Sequence, residues 1–171
     1  NCFINIFIQM LFYILYNFQG QIRSGIIHSK YDSFNFQLGI QLFLPEDWQA
    51  VDVPQEMQAQ NLEAFFLSQE SGQTMAVTYG TLITDAQGQA VTELSTLTGM
   101  FQQAGYADAH EAVINGLPCM IYSSAAEDVM GAYFLTQGEK LLAVHISPMA
   151  GQANYALAQG LLSSIMAVDV P

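Results

Sequence analysis

The chain has 171 residues, 51% of them hydrophobic, and carries 15 acidic side chains against three basic ones, a formal net charge of −12 at pH 7. That length and apolar content suffice for one real core, which excludes a disordered chain. The acidic field repels phosphate backbones and anionic headgroups, so nucleic acid and an anionic lipid surface are excluded as partners.

Residues 1–36 stand apart from the rest. They contain no Ala, and Cys2–Phe18 (CFINIFIQMLFYILYNF) holds no charged residue. As a helix this run would span about 25 Å, just under the hydrocarbon thickness of a bilayer. Three readings remain open: a signal or membrane anchor, an element packed on the domain, or a non-native extension. The first two bases, Arg23 and Lys30, follow the apolar run, whereas a signal peptide carries its bases before it. A boundary near residue 36 leaves residues 37–171 as one domain. If the leading segment is native, the cell envelope or the exterior is the expected location, with membrane contact through residues 2–18 alone; otherwise the cytoplasm is expected.

Within the domain, Gln37–Leu44 alternates as a strand and stops at Pro45, and Trp48–Val53 is extended. Residues 54–61 hold one helical turn. Leu62–Gln69 and Gln73–Tyr79 flank Glu70-Ser71-Gly72 as a hairpin. The period then changes. Val91, Leu94, Leu97 and Phe101 recur at helical spacing, and Gly105 closes a helix over 91–104. His110–Ile114 and Leu117–Ser124 flank Asn115-Gly116, a pair suited to the left-handed angles of a type I′ turn. Asp128–Thr136 and Lys140–Ser147 surround Gln137-Gly138-Glu139. A last helix over 154–166 presents Tyr155, Ala158, Leu162 and Ile165, with Leu161 and Met166 widening the stripe. The order is strands, helix, four strands, helix. Short turns between strands imply a mainly antiparallel sheet and an α+β class.

These local signals resemble the PsbP-like fold, which also includes a yeast Ran-binding nuclear import factor and bacterial DcrB-like proteins. The resemblance rests on the strand with Pro and Trp (Ile40–Trp48), the helix ending at Gly105 and the Asn115-Gly116 hairpin before Cys119–Ser123. The closing Leu161-Leu162-Ser163-Ser164-Ile165 completes it, and it covers about residues 39–170. It implies a central antiparallel sheet flanked by two principal helices, and a role in binding other macromolecules. It brings no universal active site, so no functional residue is carried over. The basic patches that some members use are missing from this sequence.

Chemistry has few footholds. Walker, Gly-x-Gly-x-x-Gly, His-Glu-x-x-His and Gly-x-Ser-x-Gly motifs are absent, and so is Cys-x-x-Cys. No cofactor or metal is expected. His145 alternates with Ala143 and Ser147, where it is either a base facing a cleft or a partly buried polar residue. Asp108, His110 and Glu111 form a polar cluster that is either the start of a metal site or a solvated strand end. Trp48 is either an exposed anchor for a partner or a core plug with its N–H satisfied. Met75, Met100, Met120, Met130, Met149 and Met166 either line a groove for apolar peptides or fill the core. The acidity fits a cationic partner or simple solubility. The leading expectation is a non-enzymatic binding or assembly domain that recognises a protein partner. The alternatives are a carrier or chaperone for apolar segments, and a small hydrolase or metal-assisted enzyme using His110, Glu111 or His145.

Overall fold

A computed structural model describes residues 32–35, 40–59, 61–136 and 140–167. The segment Cys2–Phe18 and the turn 137–139 lie outside the described residues. A seven-stranded antiparallel sheet forms the centre. Its strands are β3 (Trp48–Val51), β4 (Leu62–Ser68), β5 (Thr74–Thr81), β6 (His110–Ile114), β7 (Leu117–Ser124), β8 (Val129–Thr136) and β9 (Lys140–Ser147). Their spatial order is β3-β4-β5-β9-β8-β7-β6. A smaller sheet, ordered β1-β2-β10, joins β1 (Asp32–Asn35), β2 (Ile40–Leu44) and β10 (Met166–Ala167). The helices are α1 (Gln55–Gln58), α2 (Leu94–Gln103) and α3 (Gln152–Ser163). The class is α+β, as the order of elements implies.

Both faces of the large sheet are covered. On one side Ile40, Leu42 and Leu44 of β2 pack with Ala158, Leu161 and Leu162 of α3. They meet Phe66, Met75, Cys119, Ala132, Leu142 and Val144 of the sheet. On the other side Leu97 and Phe101 of α2 meet Met120, Tyr122, Tyr133 and Ala143. A satellite core gathers Met57 of α1 with Leu62, Phe65 and Ala76.

Local chemistry explains the ends of the elements. After α2, Tyr106 N–H donates to the Phe101 carbonyl and Gly105 N–H to the Gln102 carbonyl, both at about 3 Å. This is a Schellman closure, and it requires the positive φ (107°) that Gly105 supplies. The β6–β7 turn has φ of 47° at Asn115 and 84° at Gly116, as a type I′ turn demands. Asn115 does more than turn the chain. Its Nδ2 donates to the carbonyls of Ser163 and Ile165, each at 2.8 Å, and so ties the hairpin to the C-terminus of α3. The loop leading into α3 is held in a similar way. Gln73, fully buried, donates to Pro148 O (2.8 Å) and Asn154 O (3.0 Å), while Asp128 Oδ1 accepts from Met149 N–H (2.8 Å) and Ala150 N–H (2.6 Å).

The structure departs from the periodicity in several places. The helix expected over 91–104 begins at Leu94, and Val91 instead packs from the preceding loop. The last helix ends at Ser163, so Met166 belongs to β10, paired with Gln41 of β2, and does not widen the helical stripe. Tyr155, expected on the buried face, is 41% exposed and accepts a hydrogen bond from Gln159 at 3.3 Å. In β4 the register shifts between Leu62 and Ala64. That bulge turns Leu62 away from Ala64 and Phe66 and onto the α1 side beside Phe65. Upstream of residue 37, β1 pairs antiparallel with β2.

The Asn115 contact separates turn geometry from side-chain bonding. Asn115→Gly keeps the left-handed angles and loses both hydrogen bonds, so urea denaturation should show a loss of about 1 kcal/mol. Asn115→Ala should cost about 1 kcal/mol more, because its Cβ also opposes the positive φ.

Candidate functional site

His145 lies in the middle of the large sheet, on the α2 side, in the row Ala76–His145–Gly131–Tyr122 that runs across β5, β9, β8 and β7. Its ring meets Tyr133 at 5.2 Å and Tyr122 edge-on at 5.9 Å between centroids. Tyr122 in turn packs against Phe101 and Tyr106, each at 5.1 Å. The row works by alternation of size. A Cβ on Gly131 would lie 2.6 Å from Tyr122 Cε1 and 3.2 Å from His145 Cδ2, so the two rings occupy the space that a side chain at 131 would need.

Burial sets the electrostatics of this cluster. His145 is 4% exposed, and desolvation of the imidazolium lowers its pKa to about 3. It is therefore neutral at ordinary pH. Burial likewise raises the phenols of Tyr122 and Tyr133 well above their usual value. Tyr106 is raised by burial first, then by its hydrogen bond to Glu127 (2.8 Å) and that residue's charge. Cys119 is buried on the α3 side, where desolvation pushes its thiol up to about 11. These groups are held in their uncharged forms, and as placed they serve packing.

The Asp108–Glu111 cluster sits at the start of the edge strand β6. His110 is exposed, with Nδ1 2.7 Å from the Asp108 carbonyl. The Asp108 carboxylate accepts from Ser123 N–H at 2.9 Å and from the Ser123 hydroxyl. Alternation places His110 with Ala112 and Ile114 on the α3 side, and Glu111 with Ala109 on the α2 side. His110 and His145 thus lie on opposite sides of the sheet. Glu111 shares a side with His145, but three strand spacings, roughly 14 Å, separate their strands. Among the described residues no group of three His, Cys, Asp or Glu could hold a metal ion.

Trp48 is 6% exposed and belongs to the α3-side core. It is a core residue, but its indole N–H finds no acceptor among the described residues, contrary to the expectation that burial would come with a bond. Met75, Met120 and Met130 are buried inside the core, which removes them from any exposed groove. The aromatic surround of His145 was missed by motif reading. Its signal was the spacing Met120-x-Tyr122 and Gly131-x-Tyr133, which places both tyrosines on the His145 face once the register is known.

No protein-family description and no curated protein matches the sequence. Solved structures do. The solution structure of cyanobacterial PsbP (CyanoP) from Synechocystis sp. PCC 6803 superposes with a TM-score of 0.52 at 12% identity, covering 87% of this chain and 99% of that one. A crystal structure from Bacteroides thetaiotaomicron VPI-5482 gives a TM-score of 0.49 at 10% identity, covering 82% of this chain and 50% of that one. The fold is PsbP-like.

Two outcomes are expected from the buried row. Gly131→Ala should destabilise the domain by about 1–3 kcal/mol in urea denaturation, since the fully packed Tyr122 ring has nowhere to move. His145 binds a proton more readily unfolded than folded, so its folded pKa of about 3 makes stability fall as pH drops from about 6.5 towards 3. His145→Gln should lack this component, and its urea midpoint should change less than that of the parent between pH 7 and pH 4.5.

Proposed function

We propose that this chain is a non-enzymatic binding domain that recognises a protein partner, with the cell envelope as its location. The observation that carries the reading is the dispersal of the candidate chemical groups. His145 is sealed among aromatic rings, His110 lies on the opposite side of the sheet, and Glu111 is three strands away. A general acid–base or metal-assisted reaction needs such groups within hydrogen-bond reach of one point. What the domain offers instead is a closed core inside an acidic shell, where Lys140 is the one Lys or Arg among the described residues. The PsbP-like fold adds support by analogy alone. The envelope location rests on the apolar run Cys2–Phe18. Among the described residues no helix is long and apolar enough to cross a membrane.

Chemical cross-linking of the full chain in its native host, read by mass spectrometry, tests this. A defined protein partner is expected, with cross-links on exposed residues, and it should persist in the His110→Ala and His145→Gln variants. A chain that captures no partner, yet turns over a substrate in a reaction lost with His145→Gln, would sink the reading.

A further inference from the structure

The two edges of the large sheet differ. At one, β3 is four residues long and lies between Pro45 and Pro54, with Gln49 and Ala50 exposed. At the other, β6 (His110–Ile114) contains no Pro and no Lys, two residues by which edges are commonly protected from strand addition. Its hydrogen-bonding pattern follows from the turn. A two-residue type I′ loop makes its flanking pair, Ile114 and Leu117, a hydrogen-bonded pair. Alternation then makes Val113↔Pro118 and Glu111↔Met120 non-hydrogen-bonded pairs. The N–H and C=O groups of Glu111 and Val113 therefore point away from β7, and among the described residues no strand pairs there. Pro118 agrees with this phase. Its missing N–H would have faced β8, and the β7–β8 ladder starts only at Met120.

Both side chains of the open positions are exposed on the α2 side. Val113 stands out at 68% exposure, the highest among the exposed large hydrophobic residues Phe43, Val113 and Tyr155. The strand is also held rigid at both ends, by Asn115 on the carbonyls of Ser163 and Ile165 and by Asp108 on Ser123. A fixed strand loses little order when another strand adds to it.

Charge selects the occupant. A second copy adding here would join two chains of −12 and bring the Glu111 carboxylates close together. An extended segment with Lys or Arg opposite Glu111 and an apolar side chain opposite Val113 satisfies both positions. We propose that β6 is a docking edge for such a cationic segment of a partner protein, which adds to the sheet as an eighth strand. This rests on the protein-binding reading above and names its surface.

The test uses the full chain labelled for NMR and a ten-residue Lys–Val peptide in which Lys and Val take turns on one face of the extended strand with Thr between them (Lys-Thr-Val-Thr-Lys-Thr-Val-Thr-Lys-Thr), with the Glu–Val peptide that has Glu for each Lys as control. The Lys–Val peptide should shift the amides of Glu111 and Val113 and slow their hydrogen exchange about tenfold, and the control should not. Val113→Pro removes one outward N–H without touching the β6–β7 ladder. It should keep the circular dichroism spectrum and weaken binding about tenfold or more. Glu111→Lys should reverse the preference between the two peptides. Shifts confined to another surface, equal binding by Val113→Pro, or no binding at roughly 1 mM peptide would overturn the proposal. Self-association through β6, abolished by Val113→Pro, would overturn it in favour of a second copy. A native partner cross-linked equally by the parent chain and Val113→Pro would remove this edge and leave the protein-binding reading in place. A host that yields no cross-linked partner removes that reading itself.

Discussion

The pairing of β5 with β9 is the contact on which the rest of the molecule depends. Eight residue pairs, from Thr74↔Ser147 to Thr81↔Lys140, join the β3–β5 half of the sheet to the β6–β9 meander. Each half alone is a short antiparallel sheet with an open edge. Joined, they place β9 at the centre, where every residue from Leu141 to Ser147 is buried. Both faces of that centre are apolar, so both must be covered, and that requirement positions α3 with the small sheet on one side and α2 on the other. The contact is also distant in sequence, since the crossover through α2 and the strands β6, β7 and β8 lie between its partners. Closing so long a loop costs entropy before any β5–β9 contact forms, which the burial of β9 offsets.

Placing a histidine in that centre creates a second constraint. His145 is admitted because its neighbours in the row across the sheet, Ala76 and Gly131, are small. The space above Gly131 is then filled by the Tyr122 ring and the His145 ring together. Size, not charge, governs the cluster, and burial keeps the imidazole neutral. The same low-dielectric surround that makes a perturbed histidine suggestive of chemistry here serves a packed interior.

The perimeter contrasts with this core. Turns and loop ends are fastened by single polar side chains: Asn115 on the end of α3, Gln73 and Asp128 on the loop before it, and Asp108 on Ser123. Each satisfies backbone groups that would otherwise be left without partners at the ends of elements. The result, among the described residues, is a sheet with fastened turns, an acidic shell and two short edge strands, β3 and β6.

Much of this was legible in the sequence, for a physical reason. Asn115-Gly116, the Leu94–Phe101 part of the helical period and Gly105 report steric preferences of a residue and its near neighbours, and they recur in the structure as a turn, a helix and a helix end, whereas Val91 falls in the loop before that helix. Alternation likewise set the side of β9 on which His145 would lie. What the sequence by itself determined was therefore the order of the elements from β2 to α3, their approximate ends and the α+β class, while β1 and β10 lay outside its reading. Tertiary structure decided the rest. A bulge at the start of β4 moved Leu62 to the other face, and strand pairing with Gln41 took Met166 out of the helical stripe. The closure of β5 on β9, the stacking of Tyr122 beside Gly131, and the placement of His110 opposite His145 depend on strands that meet only after the chain has folded back. Their energy comes from burial shared between distant segments, and no local preference of the chain encodes which segments will share it.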